Sequence, residues 1–245
     1  METRDKKKFL QHLQKEYKIY NVKEVYPLTV GKSNIFFEGS HLSTNKRVFI
    51  KYDRYFCGSI TREAQILQLP RLKKSPYFPN VITYEDDVFP FVVFEFIEGM
   101  MLSKMLSNAK LRDRLLSKNE QKEKFLLQLL SILKTLHKEN IIHRDIHPKN
   151  IMVAQNQDKN LDRLILIDFS FAVGINRFPE LPYLIHSKRL KLLGIADYRP
   201  QIYKWDNQYS IAKIAKQIDK NCDKKFPYIW HEMDSYKEKL VYIYK

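Results

Sequence analysis

The chain has 245 residues, 44% hydrophobic and 13% aromatic, with 43 Lys and Arg against 28 Asp and Glu, a net charge of +15. This length makes one domain or two lobes sharing an interface, and the apolar content excludes disorder as the overall state. Six glycines mean that any phosphate-binding loop is glycine-poor. The two cysteines, Cys57 and Cys222, exclude a disulfide framework and a four-ligand zinc site, as expected in a reducing compartment.

The first twenty residues read as a basic helix, too charged for a signal peptide, and no later run reaches the roughly eighteen apolar residues of a membrane span. The expected location is cytoplasmic. β-Branched and aromatic runs at 25–30, 34–38 and 47–52 predict strands, separated by Gly31-Lys32-Ser33 and Ser43-Thr44-Asn45. A helix over 59–69, with Ile60, Ala64 and Leu67 at helical spacing, ends at Pro70. Strands resume at 81–84 and 89–96. After Gly99 helices take over, and 122–137 carries Phe125, Leu126, Leu129, Ile132, Leu133 and Leu136 as an apolar stripe. Two short strands follow at 151–153 and 164–167. The fold class is therefore α+β: a basic helix over 1–20, a β-rich lobe over 21–97 and a short helical lobe over 98–245, bilobal overall.

The chemistry concentrates in Ile141-Ile142-His143-Arg144-Asp145-Ile146-His147-Pro148-Lys149-Asn150-Ile151-Met152, between the amphipathic helix and a strand, and in Asp168 at the end of Leu164-Ile165-Leu166-Ile167. A carboxylate and an amide five positions apart, followed by a second carboxylate at a strand end, suit transfer of a phosphoryl group to a hydroxyl. Asp145 would orient and deprotonate the acceptor, with Asn150 and Asp168 holding Mg2+ against the phosphates. Taken singly, Asp145 capping a turn or Asp168 ending a strand would be unremarkable; the order and context carry the reading.

On these residues the chain resembles the protein-kinase-like superfamily. His143-Arg144-Asp145 with Asn150, and Asp168-Phe169-Ser170 in place of Asp-Phe-Gly, resemble its catalytic and magnesium loops. Val48-Phe49-Ile50-Lys51 resembles Val-Ala-Ile-Lys, which implies that Lys51 meets the α- and β-phosphates of ATP and that Glu63 pairs with it. The run from Val92 to Gly99 resembles the hinge between lobes, implying that the backbone of Glu95 and Ile97 meets adenine. Trp205-Asp206-Asn207-Gln208-Tyr209-Ser210 faintly resembles the family's Asp-x-Trp-Ser helix without a settled register.

Other features resemble small-molecule kinases of the same superfamily. Asp145-Ile146-His147-Pro148-Lys149-Asn150 is similar to the Asp-Leu-His-Pro-Gly-Asn of aminoglycoside- and choline-kinase-like enzymes, which adds His147 to the catalytic candidates beside Asp145. Gly31-Lys32-Ser33-Asn34 is similar to their Gly-x-Ser-Asn loop, so that Gly31, Ser33 and Asn34 are expected at the phosphates. Residues 171–199 contain one serine, Ser187, and no threonine, and the chain after Ser210 is short for substrate-docking helices. Together with the basic ends, these features resemble lipopolysaccharide-core sugar kinases. They imply a glycan or glycolipid acceptor at the inner face of a membrane, with Arg4, Lys6, Lys7, Lys8, Lys15 and Lys18 against anionic headgroups. A solvated basic helix gives the same charge pattern. A protein serine or threonine is the second acceptor, and a nucleotide-binding pseudokinase the third reading. Specific nucleic-acid binding is not expected, since it leaves the carboxylates unexplained.

Overall fold

The computed structural model describes residues 3–26, 34–54, 58–155, 162–179, 198–199 and 204–243. The chain divides into two compact units, one of Met1–Gln68 and Pro79–Phe96, the other of Leu69–Phe78 and Ile97–Lys245. Among the described residues no helix is long and apolar enough to cross a membrane.

The first unit opens with helix α1 (Thr3–Tyr17). Phe9 and Leu13, four residues apart and thus on one face, are fully buried, while Lys7 and Lys8 are exposed. Lys18, at φ 56, ends the helix and turns the chain into strand β1 (Ile19–Val25). Strands β2 (Asn34–His41), β3 (Arg47–Asp53), β4 (Val81–Glu85) and β5 (Phe91–Glu95) complete an antiparallel sheet in the order β1-β2-β3-β5-β4. β1 bulges between Tyr20 and Lys23 opposite Gly39, where a Cβ would come within 3.0 Å of Ile19 and 3.1 Å of the Tyr20 carbonyl. Alternation along β2, β3 and β5 sends Ile35, Phe37, Val48, Ile50, Tyr52, Phe91 and Val93 into one core with Phe9 and Leu13. Burying Phe9 and Leu13 contributes about 1.5–3 kcal/mol each. Glu85 of β4 clamps the helix further, bonding His12 Nε2 at 2.7 Å and accepting from Tyr17 Oη at 2.8 Å.

The structure differs from the sequence reading at four points. The basic opening helix is an integral layer of the first unit, because its apolar face covers the sheet. The strand expected at 25–30 instead runs Ile19–Val25; as an edge strand it exposes Asn21 and Lys23 and so lacks an apolar run, and Tyr26 at φ 54 follows it. Residues 27–30 lie outside the described residues. The expected boundary near residue 97 is broken once, because 69–78 belong to the second unit. Helix α2 (Ser59–Leu67) stops short of the expected end, and Pro70 opens a new helix, α3 (Pro70–Lys74), at the first-turn position where proline is tolerated.

The second unit is built on α6 (Asn119–Lys138), preceded by β6 (Gly99–Met101), α4 (Leu102–Ser107) and α5 (Ala109–Leu116). The predicted stripe of α6 is buried, Phe125 through Leu136. Two small sheets carry the loops that follow: β7 (Ile141–Ile142) pairs with β10 (Val173–Gly174), and β8 (Ile151–Ala154) lies between β6 and β9 (Arg163–Leu166). Gly99 is required at the β6–β8 contact, since a Cβ there would sit 2.3 Å from the Val153 carbonyl oxygen. Strands β11 (Tyr198–Arg199), β12 (Lys204–Trp205) and β13 (Tyr242–Ile243) form a third sheet, with α7 (Asn207–Ile218), α8 (Cys222–Lys225) and α9 (Pro227–Asp234) between the last two.

Candidate active site

In the first unit, the period of two along β3 sends Lys51 to the face opposite Ile50 and Tyr52. Its Nζ donates to Glu63 Oε2 of α2 at 2.7 Å, and the two side chains are only 5% and 2% exposed. Asp53, fully buried at the strand end, accepts the Gly58 N–H at 3.1 Å and so ties β3 to the start of α2. Asn34 opens β2, and its Oδ1 is buried without a hydrogen-bond partner among the described residues. Gly31 and Ser33 lie outside the described residues. The Glu95 N–H is committed to the Asn80 carbonyl at 3.0 Å, which leaves its carbonyl as the group to consider for adenine. Ile97 begins the second unit's main segment, so the two expected hinge contacts fall on either side of the division.

In the second unit, the chain leaves α6 through Asn140 at φ 56, forms β7 and enters the catalytic-type loop. His143 is fully buried and edge-on to Phe169 at 4.5 Å. Its Nε2 faces the Ile167 carbonyl at 3.1 Å, so that nitrogen carries the proton, and Nδ1 accepts from the Asp145 N–H at 3.3 Å. Burial pushes its pKa down to about 4, against the pull of Asp145 and Asp168, which keeps it neutral at pH 7. Arg144, at φ 67 and also buried, donates from Nε to the Phe171 carbonyl at 2.6 Å. These two residues tie the loop to the segment after β9.

Asp145 is held from two sides. Asn150 donates from Nδ2 to Asp145 Oδ2 at 2.8 Å and to its carbonyl at 3.0 Å. His147 Nε2 lies 3.3 Å from Asp145 Oδ1. The Lys149 N–H donates to His147 Nδ1 at 3.1 Å, which leaves the proton of neutral His147 on Nε2, toward Asp145. The 3₁₀ turn Pro148–Asn150 that makes this cap feeds into β8, and the Ile167 N–H donates to the Asn150 carbonyl at 2.9 Å. Asp168 adopts φ 65, and Ser170 Oγ donates to its Oδ1 at 2.8 Å.

The donor set suits a hard divalent cation. Both amide hydrogens of Asn150 go to Asp145, leaving Oδ1 as its remaining ligand atom, and Asp168 supplies a carboxylate; oxygen ligands of this kind, completed by phosphate and water, are what Mg2+ takes. Among the described residues no cluster of three or more His, Cys, Asp or Glu could hold a metal alone.

Residue-by-residue reading missed two supports. Asn207, the first residue of α7, accepts the His143 N–H on Oδ1 at 3.0 Å and donates from Nδ2 to the Ile141 carbonyl at 2.7 Å. Asn207 lies within the Trp205–Ser210 run likened to the Asp-x-Trp-Ser helix. Asp206 caps α7 through the Gln208 N–H at 2.8 Å and accepts the Glu238 N–H at 3.0 Å. Ser187 and most of the segment around it lie outside the described residues.

A family model described as "Protein kinase domain" matches residues 31–189. The chain is 29% identical over 168 residues to Serine/threonine-protein kinase D2 of Rattus norvegicus, covering 65% of this chain and 18% of that protein. It is 28% identical over 159 residues to Serine/threonine-protein kinase D3 of Mus musculus, covering 63% and 17%. Serine/threonine-protein kinase dkf-2 of Caenorhabditis briggsae is 35% identical over 111 residues, 45% of this chain and 9% of that protein. The chain thus spans less than a fifth of the length of these relatives.

Proposed function

The chain belongs to the protein kinase domain family, phosphotransferases with a hydroxyl acceptor, and on that footing we propose that it transfers the γ-phosphate of ATP to a serine or threonine of a protein. The relatives it resembles are named as serine/threonine-protein kinases. That favours the acceptor placed second on sequence grounds over a glycan or glycolipid. In α1 the apolar face lies on the sheet and Lys6 pairs with Glu24, while Lys7 and Lys8 stay exposed.

The single observation that carries the reading is the Asp145 carboxylate held by Asn150 on one oxygen and His147 on the other. So fixed, it orients an acceptor hydroxyl and takes its proton as the oxygen attacks. The acceptor oxygen bonds the γ-phosphorus, the bond to the β–γ bridging oxygen breaks and ADP leaves. Lys51, itself oriented by Glu63, neutralises the α- and β-phosphates. Asn150 and Asp168 would hold Mg2+, which would offset the charge developing on the phosphates.

Labelled ATP tests this with wild type and Asp145→Asn against protein and glycolipid acceptors. Serine or threonine labelling should fall by about 10²–10⁴-fold in the variant, with nucleotide binding retained. Asp145-dependent label on glycolipid and none on protein would restore the sugar acceptor.

A further inference from the structure

The positive charge is unevenly placed. The unit containing the catalytic-type loop holds 30 Lys and Arg against 17 Asp and Glu, whereas the other holds 13 against 11. Part of the excess is concentrated along α4 and α5. Between residues 102 and 118, Lys104, Lys110, Arg112, Arg114 and Lys118 are all exposed, with Asp113 the one acidic residue of that stretch. Arg112 meets Asp113 at 3.4 Å on exposed surface, a pairing worth little. Arg114 also lies within electrostatic reach of Asp162. Leu102, Met105 and Leu116 are buried, so α4 and α5 give their apolar sides to the unit and turn these cations outward. α4 packs directly on the 3₁₀ turn that carries exposed Lys149, four residues after Asp145.

We infer that this surface selects the acceptor by charge: the hydroxyl presented to Asp145 belongs to an acidic protein segment, whose Asp, Glu or phosphorylated flanks meet Lys149 and the α4–α5 cations. The inference rests on the protein-acceptor reading above and narrows it to one substrate class. Six exposed cations with so few anions among them, along α4, α5 and the 3₁₀ turn, raise the local positive potential. Such a field concentrates acidic partners and disfavours basic ones through like-charge repulsion. It acts over a Debye length of about 8 Å at physiological salt, so the selection weakens as salt rises.

Three serine peptides of equal length, with acidic, neutral and basic flanks, test it on the full chain by fluorescence anisotropy and by transfer from labelled ATP. The acidic peptide should bind roughly tenfold more tightly than the neutral one at low salt, with the gap narrowing toward physiological salt. The triple variant Lys104→Gln/Arg112→Gln/Arg114→Gln should raise KM for the acidic peptide several-fold while kcat for that peptide holds. Equal binding of acidic and neutral peptides, or tighter binding of the basic one, overturns the inference. Transfer to all three with equal kcat/KM also overturns it, yet leaves a protein acceptor standing. Tight, salt-sensitive binding of the acidic peptide with transfer to none supports the surface and overturns the protein-acceptor reading. Because binding is read separately from turnover, the two failures are distinguishable.

Discussion

Asn207 bonds two backbone groups on either side of one turn of chain, accepting the His143 N–H at 3.0 Å and donating to the Ile141 carbonyl at 2.7 Å. An amide does both at once, whereas a carboxylate has no hydrogen to donate. The loop that ends in Asp145 is therefore anchored to the start of α7, more than sixty residues later in the chain.

Asn207→Asp keeps the size and the bond from His143 but places an acceptor against the Ile141 carbonyl. Leaving that buried carbonyl unpartnered costs about 1–3 kcal/mol. The urea midpoint should fall with an unchanged slope, and kcat should fall further than stability alone accounts for. An unchanged midpoint would show that the loop is held by other contacts.

Lys51→Met removes the Lys51–Glu63 ion pair from a buried site, and breaking such a pair costs about 3–5 kcal/mol. Lys51→Met/Glu63→Leu, which removes both charges, should recover most of that stability without recovering ATP affinity. Calorimetry for nucleotide binding and denaturant unfolding separate the two effects. Full recovery of ATP binding in the double variant would remove Lys51 from the nucleotide site.

Ser170 donates to Asp168 Oδ1 at 2.8 Å, a bond that the glycine of an Asp-Phe-Gly sequence lacks. Ser170→Ala should loosen the carboxylate and lower the Mg2+-dependent part of the thermal shift with ATP, and Asp168→Ala should abolish that part. A shift in Asp168→Ala that still tracks Mg2+ would take the carboxylate out of the metal site.

Burial raises the Asp219 carboxyl, but hydrogen bonds from Lys225, the Asn221 N–H and Lys122 outweigh it and hold the pKa at about 2, below its ordinary 3.8. A carboxyl lowered in the folded state binds its proton more readily when unfolded, so its stabilisation is present above pH ~4 and disappears as pH falls through ~2. The side chain is 6% exposed, and the difference corresponds to about 2 kcal/mol. Acid titration of unfolding should show Asp219→Asn less stable than wild type at pH 6, with the gap closing near pH 2. Parallel curves would mean that the three contacts are not made in solution.

What the chain revealed by itself was chemistry that is local in sequence. Asp145, His147 and Asn150 occupy one turn, Lys51 owes its face to strand alternation, and the stripe of α6 follows helical period; each depends on neighbours within a few residues. The tertiary structure decided the rest. Phe9 and Leu13 read as two apolar residues in a basic helix, and only the sheet they cover explains them. The Trp205–Ser210 run resembles a family helix, but the bond from His143 to Asn207 spans 64 residues and exists only in the fold, and the hydroxyl of Ser170 gains meaning only where Asp168 turns toward it at φ 65. Periodicity is a property of adjacent residues, whereas a buried hydrogen bond between distant ones exists only once packing has brought them together and removed the water that would otherwise satisfy them.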